Sequence, residues 1–127
     1  MRSGPRSLMR VLIVDDSRLA RVTLRKALPA SLSTEVVEAA NGDEALACVS
    51  SSQVDLMLLD LTMPVRDGYQ VLEALQEMGR TPPTIVVSAD VQTLAAARVM
   101  KLGAIAFLKK SLKPADLIEA LQRAGLL

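Results

Sequence analysis

Residues able to act together chemically stand at four places in the chain, each directly after an apolar run. Asp15-Asp16 follow Val11-Leu12-Ile13-Val14, and Asp60 follows the run from Val54 to Leu59. Ser88 follows Thr84-Ile85-Val86-Val87, and Lys109-Lys110 follow Ala104 to Leu108. A carboxylate at the tip of a buried strand is costly unless something compensates it. Three carboxylates brought together would repel, and each close pair would push a pKa upward unless a cation joined them. A hard divalent ion with oxygen ligands meets that need, and Mg2+, which keeps several of its waters, suits a site with few carboxylates. A lysine and a hydroxyl beside it could offset and hydrogen-bond a phosphoryl group. An aspartate can itself be the nucleophile that forms an acyl phosphate. All of this chemistry requires the four tips to converge.

The intervening segments predict that they do. Each apolar run is short, rich in branched residues and continuous rather than alternating, as in a strand buried on both faces. Between the runs lie helical patterns. Ser17 is placed to cap a helix running to about Leu28, with Ala20, Leu24, Ala27 and Leu28 inward and Arg18, Arg21 and Arg25 outward. Thr34 to Ala39 reads as a strand with charged members, suited to a sheet edge, and a short helix follows Asn41-Gly42 from Asp43 to about Ser50. After Gly68 the positions Val71, Leu72, Leu75 and Met78 mark an apolar face that Gly79 ends. Helices from about Val91 to Leu102 and from Pro114 onward complete the pattern, the last with Leu117, Leu121 and Ala124 on one face. Met57, Met63, Met78 and Met100 read as core, and Cys48 as a small packing residue.

Five strand–helix units in alternation predict an α/β fold, a five-stranded parallel doubly wound sheet covered by helices on both faces. If the strand order is 2-1-3-4-5, the tips carrying Asp15, Asp16, Asp60, Ser88 and the lysines meet at the topological switch point, beyond the carboxyl ends of the strands.

Composition narrows the functions. The 127 residues include no histidine, which removes His-based general bases, Ser-His-Asp triads, His-ligated zinc and a phosphohistidine carrier. Fifteen basic and 14 acidic residues nearly cancel, so no global field points to nucleic acid or a membrane surface. No stretch of about eighteen apolar residues predicts a transmembrane helix, and the opening residues lack the apolar centre of a signal peptide. A lone Cys48 offers no disulfide framework, and a reducing cytoplasmic setting is expected. Residues 1–8 read as a flexible tail and residues 9–127 as one domain.

Four motifs stand in order at these tips: Val14-Asp15-Asp16-Ser17, Asp60-Leu61-Thr62-Met63-Pro64-Val65-Arg66-Asp67-Gly68, Ser88-Ala89-Asp90, and Gly103 through Lys110. With them the chain, from about Met9 to Leu127, resembles the receiver domain of bacterial two-component response regulators, of the single-domain chemotaxis type. The resemblance implies Asp60 as phospho-acceptor, Asp16 as a direct Mg2+ ligand, Asp15 as a support through water and Thr62 as the residue whose backbone carbonyl binds the metal. It implies Ser88 as the switch hydroxyl, Phe107 as an aromatic that swings between exposed and buried positions, and Lys110 as the partner of the phosphoryl oxygens, with Lys109 the alternative. Phe107 fits plain core equally well. The implied partners are a sensor histidine kinase or phosphotransfer protein and a downstream effector bound by the fourth helix, fifth strand and fifth helix. The resemblance also leaves room for a phosphorylation-dependent dimer, and implies no direct contact with nucleic acid or membrane. One departure is Ser111, where the family normally carries a cis-proline. A non-proline cis bond costs about 2.5–4 kcal/mol, so a trans Lys110-Ser111 bond is expected.

Rival functions lack their residues. A nucleotide site needs a glycine-rich turn after the first strand, where this chain has Asp15-Asp16. A phosphohydrolase with an Asp nucleophile normally carries a second acid two residues later, where this chain has Thr62, so slow self-dephosphorylation is expected rather than turnover of external phosphoesters. A receiver belonging to a larger regulator, with a DNA-binding or enzymatic output domain, is the alternative.

Overall fold

A computed structural model describes residues 8–89 and 93–127. Residues 1–7 of the expected tail and Asp90 of the third motif lie outside the described residues.

Five strands alternate with five helices: β1 (Met9–Val14), α1 (Arg18–Ala27), β2 (Thr34–Ala39), α2 (Gly42–Ser51), β3 (Leu56–Leu59), α3 (Gly68–Met78), β4 (Thr84–Ser88), α4 (Thr93–Lys101), β5 (Ala106–Lys109) and α5 (Pro114–Arg123). The strands form one parallel sheet in the order β2-β1-β3-β4-β5. Because strand side chains alternate between faces, the central strands feed two cores. Leu12, Val14, Met57, Leu59 and Val86 meet Ala45 and Val49 of α2, Val71, Leu72 and Leu75 of α3, and Val99 of α4. Val11, Ile13, Leu56, Leu58, Ile85 and Val87 meet Leu24 and Ala27 of α1 and Leu117, Ala120 and Leu121 of α5. Residues with no polar handle therefore fill both faces, which is why these strands read as continuous apolar runs.

Helices α1, α2 and α3 begin at side chains that satisfy a free N–H group. Ser17 accepts from the Ala20 N–H, Asn41 from Glu44, and Asp67 from Gln70, whose side chain returns a bond to the Asp67 N–H as a capping box. At the far end of α3, Gly79 takes the left-handed conformation with φ 66°.

Packing departs from the expected pattern at three places. Met78 and Met100 are exposed rather than core, at 44% and 46%. Met78 is the last residue of α3, just ahead of the Gly79 cap, and Val99 takes the buried position beside Met100. Ala124 caps α5 and is exposed, while Ala120 turns inward. Helical spacing assigns a face, but burial also needs an element opposite it. Cys48 packs half-buried against the α2–α3 core as expected.

Candidate functional site

Asp15 directly follows β1 and is fully buried, and each of its polar atoms has its own hydrogen-bond partner. Its N–H donates to the Ala39 carbonyl at 3.1 Å, and its carbonyl accepts from Arg21 Nη1 at 2.6 Å. Its Oδ1 accepts from the Ser17 N–H at 2.9 Å, and its Oδ2 from Lys110 Nζ at 2.6 Å. Asp60 follows β3 at 5% exposure, its N–H donating to Val14 and its Oδ1 accepting from the Leu61 N–H at 2.9 Å. Asp16 is exposed, yet its carboxylate shares the same crevice: oxygens of Asp15, Asp16 and Asp60 all lie within 4.8 Å of one another.

Lys110 closes the crevice from the β5 side. Its Nζ lies 3.7 Å from Asp60 Oδ1 as well as against Asp15, whereas Lys109 is exposed at the end of β5. Of the two lysines left open by the sequence, it is Lys110 whose ammonium lies against the acids. The Lys110-Ser111 bond is cis, correcting the trans bond expected there. That expectation came from the intrinsic preference of a non-proline bond, while the chain on both sides is held by tertiary contacts. The Lys110 N–H donates to the Ser88 carbonyl, Lys110 Nζ to Asp15, and Leu112 is buried against α5 and its neighbours.

Electrostatics follow from this placement. Burial, then the neighbouring Asp15 charge, hold the Asp60 carboxyl above its ordinary pKa, against the pull of Lys110 and of the Thr62 and Leu61 N–H groups. For Lys110, burial alone would favour the neutral amine, but the hydrogen bond it donates to Asp15 and the charges of Asp60 and Asp15 outweigh it, so the ammonium is held more firmly than usual. Three acids facing one ammonium leave the crevice short of positive charge, and an all-oxygen donor set of this kind fits a hard divalent cation.

The remaining predicted residues stand around this centre. Ser88 is buried at the tip of β4, and Thr62 is exposed with its backbone N–H on Asp60. Phe107 is half-buried, packed against the α2–α3–α4 core while also lining a groove of about 830 Å3 between β5 and α5.

The loop from Leu61 to Asp67 holds features the sequence did not announce. Pro64 and Arg66 close a three-residue turn, the Arg66 N–H donating to the Pro64 carbonyl at 2.7 Å, with Val65 at its centre at φ 71°. This is the strained form of the γ-turn, on a β-branched residue. Gly68 is needed for close approach: a Cβ there would collide with the Asp60 carbonyl oxygen and stand 2.8 Å from Leu61 Cα. Asp67-Gly68 was readable as a helix start, but nothing in the local pattern marks Val65 as left-handed. From sequence the Arg18/Arg21/Arg25 stripe reads as a solvated face or a partner contact. Two of its members instead grip Glu38 of β2, Arg21 Nε on Oε1 and Arg25 Nη2 on Oε2, each at 2.7 Å.

Residues 11–122 match the response regulator receiver domain family. The chain belongs to that family. It is 38% identical over 119 residues to the positive alginate biosynthesis regulatory protein of Pseudomonas aeruginosa, across 92% of this chain and 47% of that protein. It is 31% identical over 116 residues to the chemotaxis protein CheY of Thermotoga maritima, across 91% of this chain and 97% of that one. It also superposes on the solved CheX–CheY–BeF3–Mg complex of Borrelia burgdorferi, with a TM-score of 0.84, 27% identity and coverage of 94% of this chain and 90% of that one. The receiver thus spans about half the length of the alginate regulator and nearly all of CheY. Its fold is the five-stranded flavodoxin-like sheet of its structural neighbours, and its family is one of signalling domains. Among the described residues no helix is long and apolar enough to cross a membrane.

Proposed function

We propose that this receiver takes a phosphoryl group from a phosphohistidine donor onto Asp60 and changes its partner binding in response. The observation that carries this reading is the convergence of Lys110 with three carboxylates on one crevice at the sheet's switch point. The Asp15, Asp16 and Asp60 carboxylates and the Thr62 carbonyl would hold Mg2+, whose charge would offset that of the transferring group.

In the transfer step an Asp60 carboxylate oxygen forms a bond to phosphorus as the donor's N–P bond breaks. The leaving imidazole keeps the electron pair and takes up a proton. Lys110 is placed to pair with the phosphoryl oxygens, since its ammonium already lies within 3.7 Å of Asp60 Oδ1. Asp15, with its N–H, its carbonyl and both carboxylate oxygens hydrogen-bonded, orients Lys110. The Ser88 hydroxyl would donate to the new phosphoryl group and move toward it. That shift, with Phe107 moving between groove and core, would bias the surface made by α4, β5 and α5 between two arrangements.

The donor would be a sensor histidine kinase or phosphotransfer protein. The effector, or a second receiver in a phosphorylation-dependent dimer, would bind the α4–β5–α5 face. Residues 9–127 would form the receiver and residues 1–8 a tail, in a cytoplasmic protein that catalyses only its own phosphorylation and slow dephosphorylation. Because several relatives carry further domains, attachment to an output domain is the second reading. The test is incubation with a phosphorylated histidine kinase or acetyl phosphate, with Mg2+ or with EDTA, followed by intact mass. A Mg2+-dependent gain of one phosphoryl group is expected, and a gain that ignores EDTA would remove the metal from the scheme.

A further inference from the structure

A guanidinium of α1 touches the backbone that joins Asp15 to Asp16. Arg21 of α1 is only 15% exposed at its side chain. Its Nη1 donates to the Asp15 carbonyl at 2.6 Å while its Nε donates to Glu38 Oε1 at 2.7 Å. The carbonyl it holds belongs to the peptide that leads into Asp16, the exposed and least restrained of the three acids. The Asp15 side chain is bonded to Ser17 and Lys110, and its N–H to β2. Arg21 therefore supplies the last fixed point of the β1–α1 turn.

We infer that Arg21 is a positioning residue for the Asp15-Asp16 pair, setting where the Asp16 carboxylate stands in the cation site. This rests on the metal reading proposed above. A planar fork can hold a carbonyl and a carboxylate in one plane at once, whereas an ammonium on a flexible stem holds neither in a fixed direction. Arg25 provides an internal contrast. It bonds the other Glu38 oxygen at 2.7 Å and so shares the tie between α1 and β2, with no bond to the Asp15 carbonyl. Charge and position also pull opposite ways. A cation near the crevice disfavours Mg2+, so deleting Arg21 tightens binding if its charge dominates and loosens it if its positioning does.

The test is calorimetric titration of MgCl2 into the wild-type chain, Arg21→Lys, Arg21→Met and Arg25→Lys at fixed ionic strength and pH, with thermal melts of each in EDTA. Groups that orient metal ligands typically change affinity by about 10–100-fold when replaced. Both Arg21 variants are expected to bind Mg2+ roughly 10-fold more weakly, and Arg25→Lys within about twofold of wild type. Affinity in Arg21→Lys within twofold of wild type overturns the inference. So does tighter binding in Arg21→Met, or an equal loss in Arg25→Lys, which would mark the stripe as a helix tie only. Wild-type protein that takes up no Mg2+ would overturn the metal reading and this inference with it.

Discussion

In metal-free protein the crevice is a net liability, and Asp60→Asn should relieve it. The carboxylate oxygens of Asp15, Asp16 and Asp60 lie within 4.8 Å of one another, and Lys110 Nζ lies 3.7 Å from Asp60. At an effective dielectric of about 20, unit charges at those separations interact by roughly 3.5 and 4.5 kcal/mol. Two repulsions thus exceed one attraction by about 2.5 kcal/mol. Solvent around exposed Asp16 reduces that figure, while the burial of Asp60 adds a desolvation cost. A stabilisation of about 2 kcal/mol is expected in EDTA at pH 7, or roughly 6–10 °C in Tm for a chain of this size. The pH dependence has a fixed sign. Asp60 is held above its ordinary pKa, so ionising it costs stability that is still present below pH 3.8 and is lost as pH rises through the raised value. The advantage of the variant should therefore be full at neutral pH and vanish near pH 3. Urea or thermal melts in EDTA across that range measure it, and excess Mg2+ should stabilise wild type more than the variant. Asp60→Asn no more stable than wild type in EDTA at pH 7 would refute the charge reasoning.

Other substitutions probe the supports. Lys110→Ala leaves fully buried Asp15 without its cation; about 2–3 kcal/mol should be lost in EDTA, less than for a wholly buried pair because Lys110 is partly exposed, and phosphorylation should fall to background in the mass assay. Val65→Gly should raise stability by about 1 kcal/mol, since φ 71° at an exposed β-branched residue is relieved while the more flexible unfolded chain takes back part of the gain. Arg25 and then Arg21 hold the Glu38 carboxyl below its ordinary value of 4.5, so the stability it contributes is full above that pH and lost as pH falls through the lowered value. Glu38→Gln should therefore be less stable than wild type at pH 7, with the two melts converging near pH 3.

Strand tips were legible because a run such as Leu56-Met57-Leu58-Leu59 can only be buried on both faces, and the acid after it must then stand at the sheet's edge. Right-handed crossovers leave few strand orders, and the order 2-1-3-4-5 that the family resemblance favours brings Asp15, Asp16, Asp60 and one of Lys109 and Lys110 to one crevice. What sequence left hidden depends on partners distant in the chain. Arg21 looks like any solvated helix arginine until β2 brings Glu38 beside it. Val65 turns left-handed inside a loop that Gly68 closes against Asp60, its N–H on the Leu61 carbonyl. Met78 has the spacing of a core residue but ends its helix without an element to pack on. The cis bond at Ser111 runs against local preference, and the chain around it is held by Ser88, by Asp15 and by the buried Leu112.

The central claim is that Asp60, and no other acid of the cluster, becomes phosphorylated. An acyl phosphate is reduced by borohydride to the alcohol, so a phosphorylated aspartate is converted to homoserine and can be located by peptide mass spectrometry. After incubation with a phosphohistidine donor and Mg2+, conversion should appear at residue 60 alone and disappear in EDTA. Conversion at Asp15 or Asp16, or none at residue 60 in protein that has gained the phosphoryl mass, would contradict it.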